Sequence, residues 1–176
     1  MDYTKRELRE KIRARRIRRD TKFDIAPLLE SDVFKSAKVI ASYRSYGTEP
    51  DTTDLNDSIL SSGRQLLLPR LLSDGALEFV PWDGEAAKLR LSGKVEEPFG
   101  DAYIGPIDLI IIPSLAADRR GNRLGQGGGS YDRTLAKDST WRVTLLFEDE
   151  LLDQIPSDSH DQRIDAVLLP NQLVNI

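Results

Sequence analysis

The chain has 176 residues, no cysteine and a formal net charge of −4, with 39% hydrophobic and 31% charged residues. A chain of this size fits one domain and buries roughly 70% of its unfolded surface, and its composition is that of a soluble globular protein; the lack of cysteine excludes disulfides, thiolate catalysis and cysteine-based zinc sites. No apolar run approaches the ~20 residues needed to span a bilayer and the charged N-terminus has no apolar signal-peptide core, so we expect a cytoplasmic protein with no membrane contact.

Tyr3 to Arg19 contains neither Gly nor Pro and consists mostly of straight-chain residues, which predicts a helix; Leu8 and Ile12 supply a thin apolar stripe. Nine Lys or Arg residues and only two acids, Glu7 and Glu10, lie between Lys5 and Arg19. Such a run reads as a nucleic-acid arm, as a solvated helix face, or as a helix lending cations to an anion held elsewhere. The net negative charge argues against a general nucleic-acid binder, but composition does not choose among the three.

A second helix is expected around Ile25–Leu29. Lys38–Tyr43 reads as a strand ended by the turn Tyr46-Gly-Thr-Glu-Pro-Asp51, Thr53–Leu60 as a helix stopped at Ser62-Gly63, and Gln65–Leu68 as a strand ended by Pro69. Leu77–Pro81, Leu109–Ile112, Arg142–Leu146 and Ala166–Leu169 read as further strands, and Asp83–Gly105 as an irregular insertion. Strands alternating with helices predict one α/β domain over residues 1–176 with a mostly parallel central sheet and helices on both faces. Ile110-Ile111-Ile112 and Val167-Leu168-Leu169 suit central strands buried on both sides. In such a sheet ligands bind beyond the carboxyl ends of the strands, where Arg44–Asp51, Pro69-Arg70 and Pro113–Gly129 all fall.

The most informative stretch is Asp118–Asp132, D-R-R-G-N-R-L-G-Q-G-G-G-S-Y-D, in which five of the nine residues Gly121–Gly129 are glycine. It follows the apolar strand Ile107–Ile112 and opens a short helical pattern, Ser130–Leu135. Glycines let a ligand approach the backbone and helix-start N–H groups face anions, with Arg119, Arg120 and Arg123 adding positive charge. A passive glycine-rich loop is the alternative, but linkers seldom join a buried strand to a helix. The loop lacks the G-K-[ST] ending of a P-loop, and Ser114, after a strand, lacks the G-x-S-x-G elbow.

In order along the chain, these segments resemble the 5-formyltetrahydrofolate cyclo-ligase family, also called 5,10-methenyltetrahydrofolate synthetases. The resemblance rests on Lys5-x-x-x-Arg9, on Glu49 in the turn after a strand, on Pro69-Arg70, on the long loop Asp118–Asp132 and on His160-Asp161-x-x-x-Asp165-x-Val167. It implies a Rossmann-like fold and the ATP- and Mg²⁺-dependent conversion of 5-formyltetrahydrofolate to 5,10-methenyltetrahydrofolate, releasing ADP and phosphate. By motif position, Lys5, Arg9 and Arg123 would be the catalytic cations. ATP would lie against Lys5, Arg6, Glu7, Leu8 and Arg9 and against Arg123, Leu124, Gly125, Gln126, Gly127, Gly128, Gly129, Ser130 and Tyr131. Glu49, Arg44 and Tyr131 would meet the folate, and Asp132 and Asp161 would hold Mg²⁺. Gln126 stands where many members carry Arg, Ser130 where an aromatic is usual, Arg44 at an often apolar position and Gly93 where some carry an aromatic. These departures bear on the fit around the pterin and formyl group rather than on the reaction class.

Taken singly, the same residues have plainer readings. Asp132 complements a helix start, Asp161 and Glu49 are turn carboxylates, His160 is a turn or packing residue, and Lys5 and Arg9 are solvated charges one helical turn apart. Two other functions use the same features: a sugar-phosphate isomerase or hydrolase binding phosphate at the loop without ATP, and a non-enzymatic RNA-binding protein using the basic helix. On the cyclo-ligase reading, the partners are the two small-molecule substrates, with no nucleic acid, and we expect a monomer.

Overall fold

The computed structural model describes residues 3–20, 22–136 and 140–176. The chain opens with helix α1 (Lys5–Arg16), followed by α2 (Ala26–Leu29) and α3 (Asp32–Ser36). Strand β1 (Val39–Ala41), helix α4 (Thr53–Ser61) and strands β2 (Gln65–Leu71) and β3 (Leu77–Pro81) come next. After them lie β4 (Leu89–Ser92), β5 (Val95–Pro98), β6 (Leu109–Ile111), β7 (Ala116–Asp118), β8 (Arg123–Leu124) and helix α5 (Ser130–Leu135). Strands β9 (Trp141–Leu145), β10 (Leu151–Leu152), β11 (Ala166–Leu169) and β12 (Gln172–Asn175) complete the order.

Seven strands form one sheet in the order β12-β11-β9-β6-β1-β2-β3. The inner five, β11 to β2, are mutually parallel, and β12 and β3 close the two edges antiparallel. The predicted α/β architecture is therefore the observed one, and the inner strands carry the apolar runs because both of their faces are covered. Alternation divides those runs between two core layers. Ile40, Leu66, Leu68, Ile111, Leu145 and Leu168 face helices α2–α4 through Leu28, Phe34, Leu55 and Ile59. Ala41, Leu67, Ile110, Val167 and Leu169 face the other side, which packs Leu135 of α5 and Ala117 of β7. Helix α1 docks on neither face; Leu8 and Ile12 pack on Leu115, Ala116, Leu124 and Ile155 around the small sheet β10-β7-β8.

Helix α1 starts at a capping box, in which Thr4 Oγ1 accepts from Glu7 N–H and the Glu7 carboxylate accepts from Thr4 N–H, satisfying two of the orphan groups of the first turn. It ends at Arg16, short of the expected Arg19; residues 17–19 form a turn from which Arg19 reaches Asp149. Strand β2 does not stop at Pro69 but continues to Leu71. Leu66 accepts a hydrogen bond from Trp82 of the β3 side and Leu67 from Ser42 of the β1 side. By alternation the N–H that Pro69 lacks would face β1, whose pairing has ended, so the proline costs no ladder bond.

The segment Asp83–Gly105 is not irregular: it contains the hairpin β4–β5, turned at Gly93 with φ +64°. Arg70 ties it to β2, donating to Glu78 on β3 and to the carbonyls of Pro98 and Gly100. The glycine loop also does not leave the main sheet directly. Between β6 and the loop stands the hairpin β7–β8, whose turn is held by Asp118, a buried carboxylate accepting from the N–H groups of Arg120, Asn122 and Ile155. A side chain at Gly121 would approach the Ile164 carbonyl to 2.8 Å, so this turn requires glycine. No helix among the described residues is long and apolar enough to cross a membrane.

Candidate active site

A cleft of about 450 Å³ opens beyond the carboxyl ends of β1, β2 and β6, bounded by Tyr43, Pro69 and Pro113 and by the whole loop Leu124–Asp132. Helix α1 roofs one end of it and the β4–β5 hairpin walls the other through Ser92, Val95 and Glu97. Two local devices fix the strand ends. The Tyr43 carbonyl accepts from Thr52 Oγ1 at 2.7 Å and Asn56 Nδ2 at 3.0 Å, tying the end of β1 to α4. Arg133 donates to the carbonyls of Gly75 and Gly128, and Thr134 Oγ1 accepts from Leu77 N–H, tying α5 and the loop to the β2–β3 turn.

Lys5 and Arg9 both line the cleft, as their spacing predicts for one helical face. Arg9 Nε donates to the Gly125 carbonyl at 2.9 Å, so α1 lies directly over the loop. Lys5 Nζ sits 2.6 Å from both Asp158 and Asp161. Burial alone would lower its pKa, but these two carboxylates raise it above the ordinary value, keeping the ammonium charged. Arg123 is buried on the same side, paired with Asp132 at 2.7 Å.

Other members of the expected nucleotide set lie elsewhere. Arg6 is exposed beside Glu10, Glu7 belongs to the helix cap and Leu8 to the core under α1. Arg119 and Arg120, expected beside the glycines, stand exposed at the β7–β8 turn and do not line the cleft. Several cations of the basic run have partners within the chain: Arg16 with Glu150 in the interior and, nearer the surface, Arg15 and Arg19 with Asp149 and Arg13 with Gln126. These partners compete with the phosphates that a nucleic-acid arm would track.

Across the cleft, Glu49 is buried, accepting from Tyr46 N–H and from Gln126 Nε2 at 3.1 Å. Burial raises its carboxyl above the ordinary range, against the lowering effect of those hydrogen bonds. Gln126 bridges the two sides, since its Oε1 and its carbonyl accept from Arg13. The hydroxyls of Tyr43 and Tyr131 are buried without a hydrogen-bond partner among the described residues, at a site both residues line. Buried hydroxyls are rarely left so, and the pair offers a ligand two donors. Arg44 and Ser130 also line the cleft, whereas Gly93 lies in the hairpin turn outside the lining.

The expected metal ligands Asp132 and Asp161 border the same cleft, and each gives one oxygen to a cation, Arg123 and Lys5 respectively. Carboxylates are the donors a hard divalent cation prefers, so the residues present suit Mg²⁺. Among the described residues the tight group of possible ligand atoms is Asp158, His160 and Asp161, all within 4.8 Å. Asp132 is not in that group. Asp158 and Tyr43 were missed from the sequence; Tyr43 ends a strand and was findable, but Asp158 sits in a loop with no spacing to mark it.

Fold and site together define an α/β protein with a cation-lined, glycine-walled cleft at the carboxyl ends of parallel strands. The family model of the 5-formyltetrahydrofolate cyclo-ligase family matches residues 3–170. The chain belongs to that family. It is 36% identical over 149 residues to a 5-formyltetrahydrofolate cyclo-ligase of Mycolicibacterium smegmatis, covering 78% of this chain and 76% of the relative. An Escherichia coli K12 protein of the same name is 30% identical over 146 residues, covering 78% and 80%. The solved structure of Aquifex aeolicus 5,10-methenyltetrahydrofolate synthetase superposes with a TM-score of 0.82 at 26% identity, covering 97% of this chain and 92% of that one. The Mycoplasma pneumoniae synthetase, at 18% identity and TM-score 0.71, shares the fold.

Proposed function

We propose that the protein closes 5-formyltetrahydrofolate to 5,10-methenyltetrahydrofolate at the expense of ATP. The observation that carries this reading is the docking of α1 over the glycine loop, which gathers Lys5, Arg9 and Arg123 at one end of a cleft whose other side is Glu49. A formamide carbon is a poor electrophile, and its oxygen would have to leave as hydroxide. Transfer of the γ-phosphoryl group of ATP to that oxygen makes it a phosphate leaving group. The folate N10 lone pair then attacks the carbon, N10 gives up its proton to solvent, the C–O bond breaks to phosphate, and the ring closes. No protein nucleophile is needed, in keeping with a chain that has no cysteine.

The side chains supply position and charge. Lys5, Arg9, Arg123 and the backbone of Leu124–Tyr131 hold the triphosphate, and loss of one such charge-stabilising contact typically costs ~10²–10³ in rate. Glu49, Tyr131 and Arg44 hold the folate. Asp132 and Asp161 would hold Mg²⁺, which would supply charge neutralisation to the phosphates. Tyr43 and Tyr131 enclose the reacting groups away from water. Incubating the protein with 5-formyltetrahydrofolate and Mg-ATP while following the absorbance of the methenyl product tests the proposal. Product should form only when ATP is present. No product, or the same rate without ATP, contradicts it.

A further inference from the structure

Among the described residues, four Lys or Arg side chains line the cleft: Lys5, Arg9, Arg44 and Arg123. Three belong to the loop end, through Asp158 and Asp161, the Gly125 carbonyl and Asp132 respectively. Arg44 stands apart, on the segment leaving β1. Its Nε and Nη2 donate to the same oxygen, Glu96 Oε2 on β5, at 2.9 and 2.7 Å. Its guanidinium lies 5.3 Å from the centre of the Trp82 ring. The two side chains are 32% and 45% exposed, so solvent reaches the pair. An ion pair this open contributes little to stability, and a guanidinium fork held by a single oxygen is not used to its bidentate capacity. Cation–π attraction to the Trp82 ring holds the guanidinium in place while leaving it free to meet a carboxylate. The geometry is that of a carboxylate receptor occupied by a weak internal substitute.

Resting on the function proposed above, the substrate carries carboxylates only on its glutamyl end, remote from the pterin that reacts. We infer that Arg44 receives a carboxylate of the glutamyl tail, with Glu96 displaced as it binds. The pair therefore determines the preference of this enzyme for glutamate-bearing folates over the bare pteroyl compound. Glu96 acts as a competitor of the substrate carboxylate, and Arg44 and Glu96 consequently have opposite effects on affinity.

Initial rates at saturating Mg-ATP for the parent protein, Arg44→Met and Glu96→Gln test this, with 5-formyltetrahydrofolate and with 5-formyltetrahydropteroylamide, which has the same ring system, a primary amide in place of the glutamate and no carboxylate. Arg44→Met should raise the KM for the folate about tenfold, the scale of one partly exposed charged hydrogen bond. The ratio of kcat/KM for the folate to that for the amide should fall about tenfold, whatever change the two compounds share. Glu96→Gln should lower the folate KM and leave the amide KM alone. If the pair is only a latch for the hairpin, both substitutions will raise KM for both compounds, and the inference is wrong. Unchanged folate KM in Arg44→Met is equally fatal to it. Should the parent protein turn over neither compound, the proposed function itself fails and this inference with it; a parent active on both, with an unselective Arg44→Met, overturns the inference alone.

Discussion

Arg16 is one of nine cations in the N-terminal run, yet the fold buries it completely. Its guanidinium grips both oxygens of Glu150, at 2.8 and 2.7 Å, and also donates to the Ser114 carbonyl. A solvated helix face, one of the readings of that run, does not describe Arg16. A signal was present: Leu8, Ile12 and Arg16 are spaced by four, so Arg16 continues the buried face of α1. An arginine there is read as surface because charged residues seldom enter a core unpaired, and its partner lies 134 positions away. The same distance problem hid the contact between Gln126 and Glu49, 77 positions apart. Breaking a buried pair leaves an uncompensated charge, so Arg16→Met should destabilise the protein by about 3–5 kcal/mol in urea unfolding. Adding Glu150→Leu should recover a substantial part, though not all, because Glu150 also accepts from Phe147 N–H. A single variant as stable as the parent would show that the pair carries no such weight.

At the scale of elements, those with strong apolar patterns were legible and those without were not. Strands β3 and β11 and helix α5 have the bounds their sequences predict, β6 ends one residue earlier, and β9 is shifted by one residue at both ends. The hairpin β4–β5 was lost because much of it is exposed on both faces, as Leu91 at 72% shows, so no alternation marks it. Strand β7, short and made of Ala116-Ala117-Asp118, hid in the polar segment Pro113–Gly129, and the turn after it carries Arg119 and Arg120 away from the site. Helix α1 is the element whose position matters most for the proposed chemistry. Lys5 and Arg9 face the cleft, whereas Arg6 faces solvent with a side chain 86% exposed. Arg9→Ala should raise the KM for ATP at least about tenfold, as loss of a charged hydrogen bond implies, while Arg6→Ala leaves it nearly unchanged. Equal effects from the two would mean that α1 acts through its overall charge and not through a docked face.

For the whole molecule, the parallel order of the inner sheet followed from the alternation of strand and helix patterns, but its antiparallel edges did not. Strand β12 is short and half-exposed, and β3 is read equally well either way. Several aspartates stitch distant parts of this fold together. The N–H groups of Val39 and Lys38 hold the Asp108 carboxyl below its ordinary value of 3.8, and Arg19 does the same for Asp149. Burial works to raise Asp161, but Lys5 and the Asp158 N–H outweigh it and lower it. A depressed carboxylate contributes its stability in full above its unfolded value and loses it as the pH falls through the folded value. Glu49, raised by burial, works in the opposite direction and is outnumbered. The urea midpoint should therefore decline as the pH is lowered from about 5 to about 3, less steeply in Asp108→Asn. A midpoint independent of pH across that window would contradict this.

On the proposed function, this cleft moves a phosphoryl group onto the formyl oxygen before the ring closes. The most direct test is to supply 5-formyltetrahydrofolate labelled with ¹⁸O in the formyl group, together with unlabelled Mg-ATP, and to analyse the inorganic phosphate by mass. If the formyl oxygen leaves as phosphate, the label appears in phosphate in step with the methenyl product. Unlabelled phosphate, with the ¹⁸O recovered in water, would contradict the account.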